Sequence, residues 1–315
     1  MQIQIKGYNS KGILIFENLV KIQKKGILYM KKIIVTGCNG QLGRAINKEL
    51  SGNSELSFVN TDVGELDITD IDKVLELARE IKPYAIINCA AHTAVDACET
   101  DVDNAYRINA IGPRNLSIAA TETGAKMIHV STDYVFDGKG TRPYLEFDAP
   151  NPQGVYGASK LAGENMVKEF ANRYFILRTA WLYGDGKNFA KTMLRLSETN
   201  DKVRVVNDQF GSPTSTKELA AAIASLLFGD NYGLFHATCE GSCHWADFAK
   251  EIFRLAGKNT QVEGISSEEY SASAKGTVAP RPAYSILENY MFKMTNGYLF
   301  ANWEDAIKEY MKTLV

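Results

Sequence analysis

Short apolar, β-branched runs recur along the chain, and stretches with helical periodicity separate most of them. Runs of this length that end in polar or small residues are typical of buried strands. They predict strands at Ile33–Thr36, Leu56–Asn60, Ala85–Asn88, Met127–Ser131, Phe175–Arg178 and Leu234–Ala237. Strands that alternate with helices form a parallel sheet covered on both faces. We therefore predict an α/β fold with a Rossmann-type doubly wound parallel sheet.

The character of the sequence changes after residue 182, where glycine-rich and polar stretches become frequent. We expect residues 30–182 to form a dinucleotide-binding domain and residues 183–315 a smaller C-terminal α/β lobe that holds the substrate. The apolar helix and strand at about 217–238 are predicted to return to the first domain, so the second lobe is discontinuous. Residues 1–29 precede what reads like the natural beginning of a nucleotide-binding domain, and we interpret them as an extension or an artefact of the assigned start.

Composition narrows the class of protein. Lys plus Arg (35) nearly balances Asp plus Glu (37), and basic residues form no stripe with aromatic ones, which argues against nucleic-acid binding. No apolar run approaches the ~18 residues that span a bilayer, so we expect no membrane segment. The five cysteines are odd in number and scattered. This usage is typical of thiols in a reducing compartment, and we expect a cytoplasmic protein.

Three glycines, Gly37, Gly40 and Gly43, stand between the first predicted strand and helix. Without Cβ atoms the turn can approach a pyrophosphate, whose charge the helix N-terminus stabilises. The spacing departs from G-x-G-x-x-G, and a purely structural turn is the alternative. We assign the dinucleotide to the turn and count Asn39, Gln41 and Leu42 with it.

Asp62 lies at the end of the second predicted strand, about twenty residues beyond the turn. A carboxylate there accepts hydrogen bonds from the adenosine ribose and repels a 2'-phosphate, which favours NADH over NADPH. An exposed turn aspartate is the alternative. Asp67 and Ile68 are placed to flank the adenine, while Thr69 or Asp70 caps a helix.

Tyr156 and Lys160 are four residues apart in a predicted helix and therefore share a face. One positive charge at ~4 Å and an effective dielectric constant of ~20 is worth ~4 kcal/mol, enough to bring a phenol's pKa of about 10 towards neutrality. We thus expect Tyr156 to act as a general acid. Tyr183 and Lys187 repeat the spacing, but two glycines between them argue against a helix, and we interpret them as loop residues without a catalytic role.

Three other sets of polar residues are candidates for catalysis or metal binding. A hydroxyl in Ser131-Thr132-Asp133, at a predicted strand end, can hydrogen-bond a carbonyl oxygen, whereas capping a turn is the structural alternative. His92 is expected to be a hydrogen-bonded structural histidine rather than an acid or base. We predict no metal site, since the spacing of four nearby candidates matches no structural zinc signature: His236, Cys239, Cys243 and His244.

From Met30 to the C-terminus the chain resembles the extended short-chain dehydrogenase/reductases, and within them the dTDP-4-dehydrorhamnose reductases. The resemblance rests chiefly on residues 131–138 (STDYVFDG), 155–164 (VYGASKLAGE), 178–184 (RTAWLYG) and 208–214 (DQFGSPT). It implies reduction of dTDP-4-dehydro-L-rhamnose, a nucleotide sugar, to dTDP-L-rhamnose with NADH or NADPH. The wider superfamily's serine is replaced here by Thr132, as is usual in this reductase subgroup.

The resemblance also implies a role for individual residues. The catalytic set is Thr132, Tyr156 and Lys160, and Asn109 has the position of the helix asparagine that supports Lys160. Residues implied to contact the dinucleotide, besides Asn109, Tyr156 and Lys160, are Asp62, Asp67, Ile68, Ala90, Ala91 and Thr93. Residues implied to line the substrate site, besides Thr132 and Tyr156, are Val95, Asp133, Tyr134 and Trp181.

Two other functions fit the same fold. A nucleotide-sugar epimerase or dehydratase oxidises its substrate with a bound nicotinamide and then restores the cofactor. A non-catalytic, dinucleotide-binding regulatory subunit would be free to lose Tyr156 or Lys160, yet both are present. A homodimer, and Mg²⁺ at its interface, are left open.

Overall fold

The computed structural model describes residues 30–274 and 276–314, so the extension predicted at residues 1–29 lies outside the described ranges. In chain order the strands are β1 Lys31–Thr36, β2 Leu56–Thr61, β3 Ala85–Asn88, β4 Lys126–Thr132, β5 Tyr174–Thr179, β6 Leu182–Tyr183, β7 Lys202–Val206, β8 Phe210–Gly211, β9 Thr214–Ser215, β10 Gly233–His236, β11 Cys243–His244 and β12 Gln261–Ile265. The α-helices are α1 Gln41–Leu50, α2 Ile71–Ile81, α3 Val95–Cys98, α4 Val102–Tyr106, α5 Gly112–Thr123, α6 Val155–Phe170, α7 Phe189–Leu196, α8 Thr216–Leu227, α9 Trp245–Leu255, α10 Ser267–Ser273 and α11 Trp303–Met311. Short π-helices span Arg107–Ile111 and Phe292–Asn296, and a 3₁₀ turn spans Asp133–Val135.

A six-stranded sheet in the order β2-β1-β3-β4-β5-β10 forms the centre of the molecule. Every neighbouring pair in it is parallel. The bounds of the six predicted strands lie within two residues of these. The chain order reverses between β1 and β3, and such a switch point opens a crevice at the carboxyl ends of the strands. The predicted doubly wound parallel sheet is confirmed.

Alternation along the strands explains why helices cover both faces. Ile33 packs in a buried cluster with side chains of α1 and α8, among them Ile46 and Ile223. Its neighbour Ile34 faces the other way, into a cluster that includes Val74 of α2. Successive strand residues point to opposite faces, so a strand apolar at every position must be buried on both sides.

A further hydrophobic cluster, which we take as the core of the proposed second lobe, lies outside the central sheet. It contains side chains of α7, α9 and α11 and of β7, which pairs with β12. Tyr183 belongs to it, with its ring buried at the end of the two-residue strand β6. The prediction that Tyr183 is a loop residue was therefore wrong, because a pairing with β9, distant in sequence, makes the segment a strand.

The residues that suggested a metal site have other partners. His236 lies in β10, where its Nδ1 atom faces the carbonyl oxygens of Tyr144 at 3.1 Å and Glu288 at 3.2 Å. Within residues 30–274 and 276–314, no three His, Cys, Asp or Glu side chains are grouped to hold a metal ion. In the same ranges no helix is both long and apolar enough to cross a membrane.

Candidate active site

A cleft of about 860 Å³ opens at the carboxyl ends of the central strands. Of the site residues predicted from the sequence, all except Asn39 and Asn109 line it. Asn39 lies beside it, where its backbone N–H donates to Asp62 Oδ2 at 3.0 Å. The structure therefore brings the predicted cofactor, catalytic and substrate residues together around one cavity.

The glycine turn between β1 and α1 has the close contacts that a dinucleotide site needs. Gly37 has φ +63°, and a Cβ atom there would lie 2.7 Å from the Ala90 nitrogen. A Cβ on Gly43 would lie 2.4 Å from the Gly37 oxygen, so α1 can pack this closely only with glycine. The first turn of α1 contains no acidic residue. Its free amides and positive dipole end fit the pyrophosphate of a dinucleotide.

Two carboxylates that are predicted to face the adenosine line the cleft. Asp62 follows β2 and accepts hydrogen bonds from the backbone N–H groups of Asn39 at 3.0 Å and Val63 at 2.9 Å. Asp67 accepts a hydrogen bond from the Thr69 backbone N–H, and this hydrogen bond lowers the pKa of Asp67. Asp70, rather than Thr69, caps α2 by accepting from the Lys73 N–H. The negative charge is consistent with the predicted preference for NADH, which stays a prediction.

Lys160 is buried at the floor of the cleft with 3% of its surface exposed. It lies one turn beyond Tyr156 on α6, and its Nζ atom donates to the Val130 carbonyl at 2.6 Å. Burial lowers the pKa of Lys160 to about 8, although the Glu164 carboxylate opposes the shift. An ammonium in so dry a place interacts strongly with any negative charge that forms near it.

Tyr156 departs from the expectation drawn from its spacing to Lys160. Burial raises the pKa of the phenol above its ordinary value, and hydrogen bonding with Thr132 lowers it by less. The predicted lowering is wrong for this structure, because desolvation penalises the phenolate while the Lys160 ammonium is directed at a carbonyl oxygen. The phenol is therefore protonated at neutral pH.

The end of β4 presents a hydroxyl and a buried acid to Tyr156. Thr132 Oγ1 donates to Asp133 Oδ1 at 2.9 Å and accepts from the Tyr134 N–H at 3.2 Å. Burial raises the pKa of Asp133 to about 6, despite hydrogen bonds from Ser285 and Thr132. The Tyr134 ring meets the Tyr156 ring edge-on, with centroids 5.4 Å apart.

Asn109 contacts the helix that carries Tyr156 and Lys160. It lies in the π-helix, and its Nδ2 atom donates to Ser159 Oγ at 3.0 Å and to the His92 oxygen at 3.1 Å. Its Oδ1 atom accepts from the His92 N–H at 2.8 Å, so it joins the loop after β3 to α6. A Cβ on Gly163 would overlap the backbone carbonyl oxygen of Asn109, which explains why a glycine stands at this position of α6.

A buried ion pair beneath the cleft was not anticipated from the sequence. Arg178 of β5 donates to both oxygens of Glu164 on α6, each at 2.8 Å, and both side chains are fully buried. Ser131 Oγ adds a third bond to this carboxylate at 2.7 Å. The pair thus ties β4 and β5 to the helix that carries Tyr156 and Lys160.

An aromatic pair forms the far wall of the cleft. Trp181 has φ +49° and stacks on Trp245, with centroids 3.6 Å apart and planes 8° from parallel. A Cβ on Gly211 would lie 2.6 Å from the Trp181 ring, so glycine makes room for the indole. Trp181 was predicted and Trp245 was missed, because it begins α9 in a separate part of the sequence. Cleft residues missed with it include Arg107, Lys187 and Asn188.

Comparison with known proteins gives a consistent result. The family model described as RmlD substrate binding domain matches residues 30–315. A crystal structure of a dTDP-4-dehydrorhamnose reductase from Clostridium acetobutylicum is 51% identical, with a TM-score of 0.87 over 90% of this chain and 99% of that one. The corresponding protein from Bacillus anthracis, in complex with NADP, is 43% identical, with a TM-score of 0.86 over 90% and 99%. The spore coat polysaccharide biosynthesis protein SpsK of Bacillus subtilis is 39% identical over 90% of this chain and 98% of its own.

We expect Glu164→Gln to unfold the protein at a much lower urea concentration than wild type. The substitution leaves the Arg178 guanidinium buried without its ionic partner, which costs about 3–5 kcal/mol of unfolding free energy. Glu169→Gln, at an exposed position on the same helix, is the control and is expected to change stability by less than about 0.5 kcal/mol. Equal stability of the two variants would contradict the role given to the ion pair.

Proposed function

Because the chain belongs to the RmlD substrate binding domain family and is an NAD(P)H-dependent oxidoreductase of the dTDP-4-dehydrorhamnose reductase type, we propose a specific reaction for it. The protein reduces the 4-keto group of dTDP-4-dehydro-L-rhamnose to give dTDP-L-rhamnose. The observation that supports this most is the gathering of Tyr156, Lys160 and Thr132 in one cleft with the glycine turn. A proton donor, a buried cation and a hydroxyl beside a dinucleotide site are what carbonyl reduction requires.

The residues of the first domain fit a nicotinamide dinucleotide. We propose that the Gly37–Gly40 turn and the N-terminus of α1 hold its pyrophosphate, that Asp62 binds the adenosine ribose, and that Lys160 binds the nicotinamide ribose. A reduced nicotinamide bound there supplies the hydride for the keto carbon.

Tyr156 is the proposed proton donor. Its raised pKa keeps the phenol protonated at neutral pH, so the donor is loaded before the reaction starts. The keto oxygen gains negative charge during reduction and takes the phenolic proton, which leaves a hydroxyl on the sugar and a phenolate on Tyr156. Lys160 stabilises that phenolate at the moment it forms, because burial of the ammonium reduces the screening of the Coulomb attraction.

Thr132 is proposed to orient the keto group. In this structure its hydroxyl donates to Asp133, so binding of a carbonyl requires the hydroxyl to rotate towards the cleft. Asp133 loses a donor in that step, and because the Thr132 hydrogen bond lowers the pKa of this buried carboxyl, its pKa rises further when the bond is lost. Val95, Tyr134 and the Trp181–Trp245 stack are the proposed walls for the sugar and the base.

We further propose a location for the protein in the cell. All five cysteines are free thiols, which supports a cytoplasmic location. The homodimer is a prediction that the single chain leaves open. Mg²⁺ has no support among the described residues.

The deciding assay mixes the purified protein with dTDP-4-dehydro-L-rhamnose and NADH or NADPH. Reductase function predicts one equivalent of reduced nicotinamide oxidised per sugar, with dTDP-L-rhamnose as product. An epimerase returns its hydride, so conversion of the sugar without net oxidation would favour that alternative. No conversion of any dTDP-keto sugar would favour the non-catalytic, dinucleotide-binding alternative.

Tyr156→Phe is expected to lower turnover by about 10²–10⁴-fold, since it removes the acid. NADH binding, followed by its fluorescence, is expected to stay near the wild-type value. Tyr183→Phe is the matched control, because Tyr183 heads the second tyrosine–lysine pair and its buried hydroxyl has no hydrogen-bond partner in the described part of the chain. Near wild-type turnover of Tyr156→Phe would refute the assigned acid.

A further inference from the structure

The segment from Gly184 to Asn188, which we call the 184–188 loop, contains the lysine of the second tyrosine–lysine pair. The side chains of Tyr183 and Lys187 lie in different parts of the structure. Tyr183 turns into the second-lobe core, with its ring 5.2 Å from that of Tyr310 and 5.6 Å from that of Phe248. Lys187 instead lines the cleft. The pair is thus not a catalytic couple, and Lys187 stands in the site without an assigned role.

The loop is held against the dinucleotide-binding helix. Arg44 of α1 donates through Nη2 to the Asp185 carbonyl at 2.7 Å. A Cβ on Gly186, whose φ is +121°, would lie 2.8 Å from that Nη2 atom and 3.2 Å from Gln41 Cγ. The loop therefore touches the first turn of α1, beside the glycine turn.

The other side of the loop is fastened to the second lobe. Asn188 caps α7 and donates through Nδ2 to the Gly184 oxygen at 2.6 Å and to the Tyr310 hydroxyl at 2.9 Å. The Tyr310 hydroxyl donates to the same Gly184 oxygen at 2.6 Å. With both sides fixed, the backbone that carries Lys187 is positioned before any ligand arrives.

The charged side chains near the 184–188 loop suggest what the Lys187 ammonium binds. A pyrophosphate carries two negative charges, and the turn that would hold it, residues 37–43, contains no charged side chain. Arg44 is directed at a carbonyl oxygen. The Lys187 ammonium makes no ion pair or hydrogen bond within residues 30–274 and 276–314. Asp62 and Asp67 also line the cleft, but neither forms an ion pair with Lys187 in the described part of the chain.

We propose that Lys187 binds the pyrophosphate of the nicotinamide dinucleotide from the side of the second lobe. This inference rests on the proposed function, because it assumes that the dinucleotide occupies the cleft. It gives the second lobe, assigned so far to the substrate, a direct share in holding the cofactor. A diphosphate on the nucleotide sugar has the same chemistry, but the contact of the loop with Gln41 favours the dinucleotide.

The test compares Lys187→Ala and Lys187→Arg with a control, Lys191→Ala. Lys191 lies four residues further along the chain, in the first turn of α7. NADH binding is titrated by fluorescence without sugar, and dTDP binding by calorimetry without NADH. We expect Lys187→Ala to raise the Kd for NADH about 10-fold, the loss expected for one charge-assisted hydrogen bond. Lys187→Arg should restore most of the affinity, and Lys191→Ala should match wild type. The Kd for dTDP should not change.

Two results would overturn the proposal. One is an unchanged Kd for NADH in Lys187→Ala with a wild-type melting temperature. The other is a raised Kd for dTDP alone, which would assign Lys187 to the substrate diphosphate. Because neither titration needs turnover, a protein without reductase activity whose NADH binding still depends on Lys187 would refute the proposed reaction and leave this inference standing.

Discussion

The burial of one ammonium group, that of Lys160, is the constraint around which this site is built. A buried lysine is tolerated only where hydrogen bonds and opposite charge offset its lost hydration. Here the Val130 carbonyl accepts from Nζ, and Glu164 lies one turn further along the same helix. The contact to Val130 also sets how α6 lies on β4, and therefore how Tyr156 meets Thr132.

Desolvation shifts the pKa values of the two proposed partners in opposite directions. It raises the pKa of the Tyr156 phenol and lowers that of the Lys160 ammonium, because each shift disfavours the charged form. Before reaction this keeps the proton on Tyr156. Once a phenolate forms, the low dielectric that opposed it also strengthens its attraction to the ammonium. In the proposed reaction, stabilisation is thus concentrated where the negative charge develops.

Features set by local sequence were predictable, and features set by distant packing were not. The six strands and the Gly37–Gly43 turn follow from apolar runs and the position of glycines. The Glu164–Arg178 pair and the Trp181–Trp245 stack join separate elements of the chain, and no local sequence pattern predicts them. The error on Tyr156 has a different origin, since charge attraction was counted and desolvation was not. The prediction that Tyr183 lies in a loop was wrong because the glycines after it indicate a loop, whereas its pairing with β9 depends on a distant segment of the chain.

The most direct test of this account is the pKa of Lys160 itself in the free protein. Lysine labelled with ¹³C at Cε reports protonation by NMR, and a Lys160→Arg variant identifies the signal. The account predicts a midpoint near pH 8, with the ammonium present below it and lost above it. A midpoint at the ordinary value of about 10.4 would show that this amine is hydrated, and would contradict the desolvation on which its proposed stabilisation of a phenolate depends.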